Sequence, residues 1–225
     1  MLRYTYYGHA CFLLDDGQYK VLADPFLTGN PQAAIKAEEV GCDFILVTHA
    51  HGDHLGDTAA IAKRTGATIV AIPEVNAICE EQAPGVKCHG MNLGGSVKLP
   101  FGKVRMTMAF HSAGVAGGVA CGFVIQMGGL TVYFAGDTAL FHDMKLIGRK
   151  DPLDYALLPI GDNYTMGLED AALAAQWLNV RNVIPLHYNT WPVIEQDVER
   201  YKALTEESTK AAVHIVKPGE TMELT

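Results

Sequence analysis

The most constraining feature of this sequence is the step from Phe44-Ile45-Leu46-Val47 into Thr48-His49-Ala50-His51-Gly52-Asp53-His54. The apolar run is too short for a helix and carries no polar interruption, the pattern of a strand buried on both faces. Three imidazoles and one carboxylate follow it within six residues, a density that few packing requirements produce. In extended chain, residues two apart point the same way, so His49, His51 and Asp53 are expected to converge on one side. Gly52 permits a turn that would aim Asp53 and His54 at a second point. Imidazole nitrogen and carboxylate oxygen are donors that zinc, iron and manganese accept.

Around this step the chain repeats one plan. Short β-type runs at Arg3 to Tyr7, Cys11 to Leu14 and Lys20 to Ala23, broken by Gly8 and Asp15-Asp16-Gly17, read as a meander. A helical stretch near Gln32 to Glu39 is expected next. After the buried strand come helix Asp57 to Arg64, strand Thr68 to Ile72 and helix Glu74 to Gln82, which ends before Pro84. A second meander includes Val104 to Phe110, Cys121 to Gln126 and Thr131 to Phe134. The alternation then resumes with helix Leu140 to Ile147, strand Tyr155 to Leu158, helix Glu169 to Leu178, strand Val183 to Leu186, helix Glu195 to Thr205 and strand Val213 to Val216. A meander followed by α/β units, occurring twice, predicts an α/β fold of four layers, an αββα sandwich. No linker-like segment interrupts the 225 residues, so a single domain over 1–225 is expected.

Six residues cannot close two coordination spheres, so further ligands must lie at strand ends facing the same cleft. His111 ends the run Val104 to Phe110, Asp137 lies in the turn Ala135-Gly136-Asp137-Thr138 after Thr131 to Phe134, and His187 ends Val183 to Leu186. His142 follows Asp137 closely enough to be a pocket candidate, whereas His89 and His214 sit in or beside expected strands and read as structural.

The ordered series HxHxDH, then His, then Gly-Asp-Thr, then a late His resembles the metal-ligand series of the metallo-β-lactamase superfamily. The whole chain takes part. It is most similar to a family of small bacterial metal-dependent hydrolases related to the ascorbate-6-phosphate lactonases and N-acyl-phosphatidylethanolamine phospholipases. The local matches are Tyr7-Gly8-His9-Ala10-Cys11-Phe12, Asp24-Pro25-Phe26-Leu27-Thr28-Gly29-Asn30-Pro31, the segment Ile160 to Gly167, and His187-Tyr188-Asn189-Thr190-Trp191-Pro192. The resemblance implies that His49, His51 and His111 hold one divalent metal, that Asp53, His54 and His187 hold a second, and that Asp137 bridges them. Zinc is the first expectation, with manganese, iron and nickel as alternatives. It further implies that Asp24 and Asp57 accept the free N–H of metal-bound imidazoles, turn or helix capping being the other role for both. His9 would line the site without being a ligand. Asn163, Tyr188 and Asn189 are candidates for substrate hydrogen bonds, and Phe26 and Trp191 for apolar walls.

Two metals sharing a water bring its pKa toward neutrality, which provides a nucleophile without Ser or Cys. Asp53 is the expected catalytic group, orienting that water and carrying its proton. An ester-like bond in a small molecule, a lactone or a phosphodiester, is the substrate class the resemblance implies. The competing reading is a persulfide-type oxidoreductase with one iron on the same scaffold. The flavin-linked diiron oxidases fit less well, since they place Glu at the second His and append a domain absent here. The charge of −8 and the lack of clustered Lys and Arg disfavour nucleic acid. No stretch reaches the length of a membrane span. Five widely spaced cysteines without a CxxC pair suit buried, reduced thiols and a cytoplasmic location. A homo-oligomer is compatible with the sequence.

Overall fold

The computed structural model describes all 225 residues, Met1–Thr225, and its first elements follow the turn chemistry of the chain. β1 (Leu2–Gly8) and β2 (Cys11–Asp15) meet at Gly8 and His9, both with positive φ. β3 (Lys20–Ala23) follows a turn in which Asp16 Oδ1 accepts the amides of Gln18 and Tyr19 at 2.9 and 2.7 Å. Next come β4 (Phe44–Leu46), the single turn α1 (Gly52–Leu55), α2 (Thr58–Thr65), β5 (Thr68–Ala71), α3 (Pro73–Gln82) and β6 (Lys87–Gly90). The second half contains β7 (Ser96–Leu99), β8 (Gly102–Met108), β9 (Cys121–Met127), β10 (Leu130–Phe134), α4 (Met144–Lys150), β11 (Tyr155–Pro159), α5 (Leu168–Leu178) and β12 (Asn182–Leu186). A 3₁₀ turn at Pro192–Ile194, α6 (Val198–Ser208), β13 (Ala212–Val213) and β14 (Thr221–Leu224) close the chain.

The strands form two seven-stranded sheets, ordered β14-β1-β2-β3-β4-β5-β6 and β13-β12-β11-β10-β9-β8-β7. Each is antiparallel from its meander edge and becomes parallel beyond its fourth strand, at β3 and β10 respectively. Two antiparallel steps restore direction, so β1 runs with β3 and β4, and β8 runs with β10 and β12. The carboxyl ends of these six strands therefore lie at one edge of each sheet, and the loops that leave them carry the candidate ligands.

Side-chain alternation separates the layers. In the second sheet Phe123, Ile125, Val132, Phe134, Leu157 and Ile184 join a buried cluster of 47 residues shared with the first sheet. Their neighbours Val124, Tyr133, Ala156, Leu158 and Val183 face a second cluster of 23 residues that includes Ala171, Ala174 and Leu178 of α5. Fully buried Phe12, Phe123 and Phe134 each contribute about 1.5–3 kcal/mol relative to exposure. This is the expected α/β sandwich, with α2 and α3 against β5 and α5 against β11. No helix is long and apolar enough to cross a membrane.

Some local expectations need correction. Gln32 to Glu39 is not helical but a run of turns, in which Asn30 Oδ1 accepts the Gln32 amide at 2.9 Å and the chain is drawn away from helical pairing. The helix expected at Leu140 starts only at Met144, because Thr138 engages the preceding loop, and the helix expected at Glu195 starts at Val198, where Asp197 accepts the Arg200 amide at 3.0 Å. Of the expected strand Val213 to Val216 only Val213 enters the sheet, in the two-residue strand Ala212–Val213. The edge strands β6, β7 and β14 lack a continuous apolar run and were not expected individually.

Candidate metal centre

Three backbone contacts stitch the two sheets together at the loop edge. Cys121 N–H donates to Thr48 O at 3.1 Å, Ala50 N–H to Ala113 O at 2.8 Å, and His187 N–H to His9 O at 2.8 Å. Between them two groups of side chains form. His49, His51 and His111 bring one ring nitrogen each to a common point, and His9, His54 and His187 bring one each to another together with a carboxylate oxygen of Asp53, all potential ligand atoms within each group lying within 4.8 Å of one another. The His49 and His51 rings face each other through Nε2 and Nδ1, 2.9 Å apart.

Asp53 does not share the side of His49 and His51 as extended backbone would place it. The chain turns into α1 at Gly52, with His51 in extended conformation just before it, and that helical turn sends Asp53 and His54 to the second group. Gly136, with φ 62°, makes a related contribution: a Cβ there would lie 2.6 Å from Cys121 O and 2.9 Å from Thr48 Cγ2, so only glycine lets the Asp137 loop pass this close. Thr138 Oγ1 accepts the Phe110 amide at 3.0 Å, tying that loop to the one that carries His111.

Asp24 organises the first sheet's contribution. It is fully buried, and its carboxylate accepts Thr48 N–H at 2.8 Å, Thr48 Oγ1–H at 2.6 Å and His54 Nδ1–H at 2.6 Å. With the Thr48 proton committed to Asp24, the Thr48 oxygen accepts His49 Nδ1–H at 2.9 Å. One carboxylate thus directs the Nε2 lone pairs of both His54 and His49 into the site. Thr48, Ser112 near His51 Nε2 at 3.3 Å, and the Gln32–Thr190 pair beside His9 were not anticipated. The available signals were the adjacency of Thr48 to the His motif and of Ser112 to His111, and the place of Thr190 in the segment His187 to Pro192; Gln32 had none.

The electrostatics alternate in sign. Burial works against charging His54 and His187, but the carboxylates around them together outweigh it: Asp137 with Asp24 raises His54, and Asp137 with Asp53 pushes His187 up to about 9. Burial would raise Asp53 and Asp137, yet the surrounding imidazoles, His187 foremost, hold both below the usual carboxylate range. Burial pulls His49 down to about 2 and His9 down to about 4. It also pushes the Asp24 carboxyl up against the pull of its three donors.

The donors fit divalent ions. His54 Nε2, His187 Nε2 and Asp137 Oδ1 are buried without a hydrogen-bond partner, a cost of about 1–3 kcal/mol for each such group that a cation among them would offset. Nitrogen and carboxylate oxygen together suit zinc and its first-row neighbours. A cavity of about 340 Å³ opens on the cluster, lined by His51, Asp53, His111, Asp137 and His187, with Ser112 and Tyr164 beside them.

The remaining candidates lie elsewhere. Asp57 accepts the Leu27 and Thr28 amides at 3.1 and 2.8 Å, anchoring the loop after Asp24 instead of an imidazole, and its side chain does not cap α2. His142 is exposed beside Lys145 and Trp177, outside the cavity lining. Asn163 is exposed, and its neighbour Tyr164 lines the cavity in its place. Tyr188 packs into the second buried cluster, and Asn189 Oδ1 accepts the Gln196 amide within its own turn at 2.7 Å. Phe26 and Trp191 pack on the His9 ring, at centroid distances of 5.7 and 4.9 Å. All five cysteines are unpaired, four of them buried and Cys88 partly so.

Comparison with known proteins places the chain in a family. A family profile described as the beta-lactamase superfamily domain matches residues 19–188. A UPF0173 metal-dependent hydrolase of Heliobacterium modesticaldum is 52% identical over all of this chain and 98% of its own length. A second, from Pelotomaculum thermopropionicum, is 50% identical over 99% of this chain and 100% of its own. Among solved structures, the metallo hydrolase Igni18 from the archaeon Ignicoccus hospitalis superposes with a TM-score of 0.91 at 37% identity, covering 100% of this chain and 99% of its own. Sharing half of its residues with such relatives from end to end, the chain belongs to the β-lactamase superfamily and, within it, to the UPF0173 metal-dependent hydrolases.

Proposed function

We propose that this hydrolase works with two divalent ions, zinc or manganese first, and cleaves an ester-like bond in a small molecule, a lactone or a phosphodiester. The position of Asp137 carries the reading. Its Oδ2 lies 3.6 Å from His111 Nε2 of one group and 3.3 and 3.1 Å from His54 and His187 Nε2 of the other. A carboxylate reached from both sides is what a bridging ligand requires. His49, His51 and His111 would hold the first ion, and Asp53, His54 and His187 the second. When bound, such a pair supplies Lewis acidity and a water of lowered pKa.

The chain's own groups supply the rest. Asp53 borders the cavity with its side chain 26% exposed, so it can orient an attacking water and pass the proton to the leaving group. Tyr164 lines the cavity, is 55% exposed and offers apolar surface for a substrate. The cavity lining contains no ammonium or guanidinium group; a neutral lactone needs none, and for a phosphodiester the two divalent ions would supply the positive charge. Five unpaired thiols suit a reducing compartment, and we place the protein in the cytoplasm.

Elemental analysis of natively purified protein tests the reading, followed by hydrolysis assays on lactones and phosphodiesters with and without chelator. Close to two zinc or manganese ions per chain and chelator-sensitive hydrolysis are the expected results. A single iron per chain would overturn the two-metal reading and favour the persulfide-type oxidoreductase.

A further inference from the structure

His9 is fully buried and adopts a φ of 59°, a conformation uncommon outside glycine. The fold holds it there: its carbonyl accepts Tyr6 Oη–H at 2.9 Å and His187 N–H at 2.8 Å. Its ring is packed between Trp191, Phe26 and His187, at centroid distances of 4.9, 5.7 and 4.0 Å. A buried residue in an uncommon backbone conformation, aimed at a cluster of candidate ligands, calls for an account of its two ring nitrogens.

Two backbone groups beside the His9 ring have fixed hydrogen-bonding roles. His9 N–H can only donate, and it reaches Gln32 Oε1 at 3.2 Å; Tyr188 O can only accept, and it takes Gln32 Nε2–H at 3.3 Å. The Gln32 amide therefore has one orientation. Its Oε1 also accepts the Thr190 hydroxyl proton at 3.2 Å. With that proton committed, Thr190 Oγ1 acts as acceptor toward His9 Nδ1, 2.8 Å away. Nδ1 carries the ring proton, and Nε2 of the neutral ring carries a lone pair. This lone pair faces Asp53 Oδ2 at 3.1 Å. Two lone-pair-bearing atoms at this distance repel each other unless a cation is shared between them.

We propose that His9 is itself a ligand of the second metal through Nε2, beside Asp53, His54 and His187, and that Gln32 and Thr190 select its ligating tautomer. The four ligand atoms lie within 4.8 Å of one another. This assignment rests on the metal reading given under Proposed function. It gives the Tyr7-Gly8-His9-Ala10 motif a chemical role and makes the two metal positions unequal, the second having one more protein donor than the first.

Loss of affinity alone would not separate a ligand from a residue that orients one, since changes in either weaken metal binding by about 10–100-fold. The test is nuclear magnetic resonance of full-length protein, ¹⁵N-labelled at histidine and loaded with ¹¹³Cd, with ring nitrogens assigned through couplings within each ring. The expected result is one-bond ¹¹³Cd coupling at His9 Nε2 and a proton on Nδ1. His9→Asn, which keeps a residue tolerant of positive φ, should remove that coupled resonance and leave those of His49, His51 and His111. Thr190→Val should weaken cadmium at the second position at least tenfold and broaden or remove the His9 coupling. The proposal is overturned if His9 Nε2 bears a proton and shows no cadmium coupling while the other five imidazoles are coupled, for His9 would then only donate to Asp53. Absence of coupling at every imidazole would refute the metal reading itself and this assignment with it. The wild-type spectrum is decisive even if His9→Asn does not fold.

Discussion

Replacing Asp24 by Asn should weaken both metal positions, although Asp24 itself is no expected ligand. Asn keeps the shape of the side chain and tolerates the φ of 37° at this position. One carboxylate oxygen, however, becomes an NH₂ group. If that group replaces Oδ1, it meets the Thr48 backbone N–H, now 2.8 Å away, which cannot change its role. If it replaces Oδ2, it meets the Thr48 hydroxyl and His54 Nδ1–H, each now 2.6 Å away. Relief in the second case requires His54 to move its proton to Nε2. Thr48 must also accept from the amide and turn its own proton toward His49 Nδ1, which transfers the His49 proton to Nε2 as well. The alternative, leaving a buried donor unpaired, costs about 1–3 kcal/mol. By either route the free Nε2 lone pairs become less available. Changes in groups that orient ligands lower metal affinity by about 10–100-fold, or roughly 1.4–2.8 kcal/mol. The assay is competition with a chelating dye of known affinity, with circular dichroism to confirm folding. Wild-type affinity at both positions would refute the reasoning, and a loss confined to the second position would refute the Thr48–His49 arm.

Three further perturbations follow from the same geometry. Asp53→Ala should lower hydrolytic turnover by about 10²–10⁴-fold while the fold is retained, the range for losing a positioned proton carrier; near-normal turnover would remove Asp53 from the reaction. Gly136→Ala introduces a Cβ 2.6 Å from Cys121 O at a φ of 62°, so urea denaturation should show at least the 1–3 kcal/mol cost of strained backbone, with metal affinity falling as Asp137 shifts. In metal-free protein His187 is raised from 6.5 to about 9. Its contribution to stability is present in full below pH 6.5 and lost as pH rises through about 9. The melting temperature of chelator-treated protein should therefore decline across that window, and His187→Gln should flatten the decline.

How much of this was readable in advance depends on distance along the chain. The run Phe44 to Val47 leading into the His motif announced a buried strand whose end carries candidate ligands, because continuous apolarity and clustered donors are both local signals. Gly-Asp-Thr at 136 to 138 and His187 after Val183 to Leu186 were readable for the same reason. The turns over Gln32 to Glu39 leave no such signal, because their conformation depends on hydrogen bonds to Asn30 and on contacts with distant parts of the chain, which no periodicity records. His142 and Tyr188 lie close in sequence to candidate ligands, but proximity along the chain does not set direction: one faces solvent and the other the core beneath α5.

The sequence by itself determined the supply of nitrogen and carboxylate donors, the doubled meander-and-α/β plan and the family, because residue type, order and local apolar patterning survive without coordinates. Only the tertiary structure decided which donors share a point. The turn at Gly52 separates Asp53 and His54 from His49 and His51, and Asp24 reaches across to Thr48 and His54. Gln32 and Thr190 meet at His9 although 158 residues separate them. Hydrogen bonds of this kind act over about 3 Å of space and depend on how two sheets bring their strand ends together, so the proton positions that prepare each imidazole belong to the fold as a whole.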